Sequence, residues 1–124
     1  MLKYSCHQGC FALLLLLLLI IMKFSKKQKE SIKIQIKKML SNELEIQKII
    51  VFGSFVNSNN PNDIDIAVFQ NSRERYLDLS MKYRKLVREL ITTIPYDIIP
   101  IQINASGSFL RDIEAGEIIY EKRN

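Results

Sequence analysis

Asp63 to Phe69 reads Asp-Ile-Asp-Ile-Ala-Val-Phe, and no other segment of the chain leaves so little choice of local structure. Residues two apart on a strand share a face, so Ile64, Ile66 and Val68 fall on one side and Asp63, Asp65 and Ala67 on the other. That is a strand with one face in a core. The stretch just before it, NSNNPN from Asn57 to Asn62, is dense in turn formers and must be a loop. Before the loop, Ile49-Ile50-Val51-Phe52 is fully apolar, rich in β-branched residues and bounded by Gly53, as a buried strand requires.

The flanking segments have helical period. Ser25 is placed to cap a helix running to about Leu40, with Ile32, Ile36, Met39 and Leu40 on one side and Lys26, Lys29, Lys33 and Lys37 on the other. Ser41-Asn42 breaks it. A second helix spans about Ser72 to Ile91, with Leu79, Tyr83, Leu86, Val87 and Leu90 as its apolar stripe. Arg73, Arg75, Arg84, Lys85 and Arg88 lie largely outside that stripe. Pro95 stops the helix, and Tyr96 to Ile103 returns as a strand with Asp97 near its start. Ser106 or Ser108 caps a short helix to about Ala115, Gly116 ends it at C′, and Ile118-Ile119-Tyr120 closes the chain. The order predicts one small α/β (α+β) domain, a short mixed β-sheet flanked by helices. At 124 residues there is room for no more than that.

The amino terminus follows other rules. Phe11 to Met22 is unbroken apolar sequence containing seven successive leucines, Leu13 to Leu19. It is about 12 residues long, roughly 18 Å as a helix, against ~30 Å of bilayer hydrocarbon. That length is short for a span and suits a signal-peptide core, but Lys23-Phe24-Ser25-Lys26-Lys27 offers no small-residue cleavage site. As an anchor, the lysine-rich flank would stay cytoplasmic. The favoured expectation is that residues 1–21 are an extension created by an early start codon, and that residues 22–124, opening at Met22, are the domain proper.

Apolar residues make up 48% of the chain and charged residues 25%, an ordinary globular mixture. The net charge of +5 suits anionic partners such as nucleotides. Cys6 and Cys10 flank His7 with no further His/Cys cluster, so a zinc site lacks its fourth ligand and a disulfide framework is not expected. A reducing, cytoplasmic setting is the default.

Two motifs carry chemistry. The Asp63 and Asp65 carboxylates project side by side from one strand face. Such a pair repels itself, and a bound cation makes it tolerable. Magnesium takes hard oxygen ligands, so two or three carboxylates plus phosphates suffice, and Asp97 is the third candidate. Gly53-Ser54, directly after a buried strand, suits an anion: glycine permits close backbone approach and the serine hydroxyl can donate to a phosphate oxygen. Each motif alone is commonplace, a solvated strand face or an ordinary turn. Their order and spacing point to transfer chemistry on a nucleoside triphosphate.

The run VFGSFVNSNNPNDIDIAVF, Val51 to Phe69, resembles the signature of the DNA polymerase β-type nucleotidyltransferase superfamily, especially its small stand-alone minimal nucleotidyltransferases. The resemblance extends to Tyr96-Asp97-Ile98-Ile99 and covers nearly all of residues 22–124. It implies a polymerase β-like fold. It also implies that Asp63 and Asp65 hold two Mg2+ ions, with Mn2+ as a substitute. Asp97 would bind the metal that activates the nucleophile and could take its proton, and Gly53 and Ser54 would bind the triphosphate. Two positions depart from the pattern. Asn57 and Ser58 stand where many relatives carry a second glycine, and Asn62 stands where a serine often precedes the first aspartate. Asn tolerates left-handed backbone and can hydrogen-bond, so both changes are compatible with the motif.

By the same resemblance the expected activity is transfer of AMP from ATP to a hydroxyl. The domain has no room for an acceptor-binding module, which implies a partner: small relatives neutralise a helical HEPN-type toxin by adenylylating it. Homo- or hetero-oligomers are open. The alternatives are a non-catalytic antitoxin of the same fold that binds only, and an aminoglycoside-type small-molecule nucleotidyltransferase. Nucleic acid is not supported, since no aromatic-plus-basic stacking pattern accompanies the lysines.

Overall fold

The computed structural model of the chain describes residues 25–88 and 94–123. The leucine run, Cys6, Cys10, His7, the Met22 start and the end of the second helix at Leu90 and Ile91 lie outside these residues. Among the described residues no helix is long and apolar enough to cross a membrane.

Helix α1 (Lys26–Leu40) begins where a reciprocal cap can form. Ser25 Oγ accepts from the Gln28 N–H at 3.1 Å, and Gln28 Oε1 accepts from the Ser25 N–H at 2.8 Å. Its inner face carries Ile36 and Leu40, with Ile32 packed beside them. It also carries two lysines expected on the solvent side. Lys33 is buried and pairs with Glu117 at 2.7 Å and Glu30 at 3.0 Å. Burial works against its charge, but these two carboxylates outweigh burial and hold the ammonium above its ordinary pKa. Lys29 donates to the Ser58 carbonyl at 2.5 Å and lies over the Phe55 ring.

Strand β1 (Ile46–Phe52) starts three residues before the apolar run suggests, and leads into the single turn α2 (Ser54–Asn57). Strand β2 (Ile64–Gln70) follows. Helix α3 (Tyr76–Val87) begins four residues later than expected. Ser72 turns on itself instead, its N–H donating to Gln70 Oε1 and its Oγ accepting from the Glu74 N–H. Strand β3 (Tyr96–Gln102), helix α4 (Leu110–Glu114) and strand β4 (Glu117–Glu121) complete the order. Neither Ser106 nor Ser108 caps α4, which starts after Phe109 with no side-chain cap.

The sheet order is β3-β2-β1-β4. β1 runs antiparallel to β2 and β4, while β2 and β3 are parallel, with α3 as their crossover. The sheet is therefore mixed and the fold α+β, as expected. The turn α2, which takes in the Asn57 expected in the loop, and β4 are the unforeseen elements, and the β4 ladder on β1 is bulged between Ile49 and Ile50.

Both faces of β2 are covered, where the alternation predicts one. Ile64, Ile66 and Val68 join Ile49, Val51, Ile98, Ile36, Leu79 and Tyr83 under α1 and α3. Ala67 and Phe69 join Ile50, Ile101 and Ile113 under α4. Gly116 follows α4 at C′ with no left-handed φ. Its reason is steric: a Cβ there would collide with the Val51 carbonyl and the Phe52 Cβ.

Across the base of α1 and α3, Lys82 Nζ lies 3.0 Å from Glu43 and 2.9 Å from Glu45. The buried Tyr83 hydroxyl donates to the same Glu45 oxygen at 2.9 Å. Burial, then that carboxylate, push the phenol well above its ordinary range.

Candidate functional site

β1 delivers the chain to Gly53 in a conformation open to glycine alone, φ 79° and ψ −152°. The turn then winds into α2, where the Val56 and Asn57 N–H groups donate to the Gly53 carbonyl at 3.1 and 3.2 Å. Phe52 is the register partner of Asp65, so the turn passes directly over the second aspartate. A Cβ on Gly53 would sit 2.6 Å from Asp65 Oδ2. The two motifs read separately in the sequence thus meet at one point.

Ser54 Oγ is buried and, among the described residues, has no hydrogen-bond partner. Buried hydroxyls nearly always find one, so an orphan beside a glycine cradle is free to donate to a water or ligand oxygen. The loop beyond is fixed by Ser58, whose N–H donates to the Ser54 carbonyl at 2.8 Å and whose own carbonyl takes the Lys29 ammonium. No non-glycine residue described has a positive φ, so Asn57 and Asn62 serve this loop without left-handed backbone.

The carboxylates line one edge. Asp65 and Asp97 are direct register partners on the parallel strands, and Asp63 leads into β2. Ile64 between the two aspartates is fully buried, which is worth roughly 1.5–3 kcal/mol and holds the strand end against their repulsion. Burial first, then the charges of Asp63 and Asp97, raise the Asp65 carboxyl above its usual range. Among the described residues no three His, Cys, Asp or Glu side chains close into a ready-made metal cage. Asp97 Oδ1 is taken by Arg84 Nη2 at 2.5 Å.

Arg84 and Lys29 are the site residues that the helical pattern hides, because both count there as solvent-facing. Only the α3 crossover, which lays the helix against β3, brings Arg84 to Asp97. Tyr96 pins that contact by donating its hydroxyl to the Arg84 carbonyl at 3.1 Å. The residues present fit a magnesium-bound triphosphate: hard oxygens on one strand, a glycine turn open to close approach, and an unengaged buried hydroxyl.

The family profile described as polymerase beta, nucleotidyltransferase matches residues 34–124. No curated protein matches the chain. Among solved structures it is similar to a tri-AMPylated Shewanella oneidensis HEPN toxin in complex with MNT antitoxin. That match has 20% identity and a TM-score of 0.49, over 76% of this chain and 73% of that one. It is also similar to a toxin-antitoxin MntA-HepT structure, with 18% identity and a TM-score of 0.47, over 75% of this chain and 73% of that one.

Proposed function

The chain belongs to the polymerase beta nucleotidyltransferase family, and from that premise we propose that it transfers AMP from ATP to a hydroxyl of a protein partner. The observation that carries this reading is the orphaned, buried Ser54 Oγ beside a glycine where any Cβ would meet Asp65.

In this reading Ser54 Oγ and the N–H groups of the Gly53 turn grip the triphosphate. Asp63 and Asp65 would hold two Mg2+ ions, with Asp97 on the ion nearer the nucleophile; once bound, the ions offset charge on the phosphates and the departing pyrophosphate. The acceptor hydroxyl oxygen forms its bond to the α-phosphorus as the bond to pyrophosphate breaks, and the Asp97 carboxylate takes the hydroxyl proton. β1 and β2 fix the donor half because Phe52 and Asp65 are paired within the ladder. The rigid frame thus supplies orientation rather than new chemistry.

Apart from Asp97, which takes the acceptor's proton, every identified group serves the donor nucleotide, so the partner supplies the acceptor. The resemblance to minimal nucleotidyltransferases supports a HEPN-type helical toxin in that role, with the chain as its cytoplasmic antitoxin. The test is co-expression with a candidate HEPN-type helical partner, followed by incubation with α-labelled ATP and Mg2+. Label should appear on the partner, and Asp63→Asn or Asp65→Asn should abolish it. Toxin neutralisation that survives both substitutions would establish a binding-only antitoxin instead.

A further inference from the structure

The Arg84–Asp97 pair joins the crossover helix to the carboxylate edge. Its cation is built into the fold. Arg84 leaves α3 one turn after Ser80, whose Oγ takes its Nε at 3.4 Å, and its carbonyl is held by Tyr96, the residue before Asp97. Among the described residues Arg84 Nη2 meets only Asp97 Oδ1, and Oδ2 takes no hydrogen bond. Asp97 stands beside Asp65 in register and adds to the repulsion there. A cation at this position therefore offsets one of three neighbouring negative charges without touching the other two.

We propose that Arg84 is an internal competitor for the metal: it occupies Asp97 in the ligand-free chain and yields it when metal and nucleotide arrive together. This rests on the reading of Asp63, Asp65 and Asp97 as metal ligands. A divalent ion drawn to Asp63 and Asp65 gains Asp97 only as the guanidinium withdraws, since like charges cannot share one carboxylate cheaply. The metal alone does so poorly. A triphosphate adds anionic oxygens that the released guanidinium can meet, so nucleotide lowers the cost of release. Arg84 thereby couples metal affinity to nucleotide, and it is a positioning residue acting through Asp97.

The experiment is Mn2+ binding followed by electron paramagnetic resonance on the full chain without nucleotide, with folding of each variant checked by circular dichroism. Arg84→Met should bind Mn2+ about fivefold more tightly, the equivalent of one part-exposed ion pair. Arg84→Lys should stay close to the parent. In an Asp97→Asn background the Arg84→Met substitution should change nothing, because the competitor has lost its target. With a non-hydrolysable ATP analogue present, the gain in Mn2+ affinity should shrink. Unchanged or weaker Mn2+ binding by Arg84→Met overturns the proposal. If Asp63→Asn and Asp65→Asn also leave Mn2+ binding unchanged, the metal-site reading itself has failed. If they abolish it while Arg84→Met has no effect, only the competitor role is refuted.

Discussion

Replacing Gly53 by alanine tests the junction of the two motifs directly. Two separate costs follow from its surroundings. At φ 79° and ψ −152° a residue with a side chain is strained by about 1–3 kcal/mol. The new methyl would also lie 2.6 Å from Asp65 Oδ2, which must swing away. The backbone cost alone lowers the melting temperature by roughly 5–20 °C for a domain of this size. The displaced carboxylate adds a loss of Mg2+-dependent ATP binding. The costs separate in a double-mutant cycle with Asp65→Ala. There the collision is gone, so Gly53→Ala should cost only its backbone share. Urea unfolding of the four proteins measures both. If Gly53→Ala unfolds within about 0.5 kcal/mol of the parent, the range of an ordinary surface change, the turn conformation is wrong and the site built on it falls.

Ser54→Ala should separate stability from binding. Removing an orphaned buried hydroxyl leaves the ligand-free chain as stable as the parent or up to about 1 kcal/mol more so. ATP affinity should fall at least about tenfold, since a hydrogen bond to a charged group is worth about 1.5–3 kcal/mol; calorimetric titration reads it, and unaltered affinity removes Ser54 from the site. Lys82→Met should cost about 1 kcal/mol at neutral pH, discounted for partial exposure. Hydrogen bonding to Glu45, against some burial, raises the Lys82 pKa from 10.5 to about 12. Its contribution is therefore whole below pH 10.5 and is lost as pH rises through 12, so melts of parent and variant should converge in that window. At the acid end, burial of Glu45 is outweighed by Lys82 and its other hydrogen bonds, which lower its pKa; that share is lost as pH falls below 4.5.

The first three strands and α1 were legible because their apolar spacing leaves one folding solution each, and Ser25 carries its cap in the side chain. β4 was not, because Glu117-Ile118-Ile119-Tyr120-Glu121 is a half-exposed strand held by a bulged ladder rather than by a buried face. Lys33 misled for a related reason. Its spacing is that of a core position, and its charge is reconciled with burial only by Glu117, far along the chain. At the candidate site, type and spacing single out Asp63, Asp65, Gly53 and Ser54, and Asp97 as the one further carboxylate in an expected strand. What spacing could not convey is that Asp65 fills the space a side chain at Gly53 would need and that Asp97 faces Arg84. Both depend on pairing between strands distant in sequence.

The sheet's outer strands bear on how other molecules can approach. β3 carries Pro100 at its middle, which lacks the N–H that a docking strand would need. β4 is five residues long, bulged, and bounded by Glu117 and Glu121. Proline at one margin and a short, kinked, charged strand at the other discourage edge-to-edge aggregation. A partner is thus steered away from lending this sheet a strand.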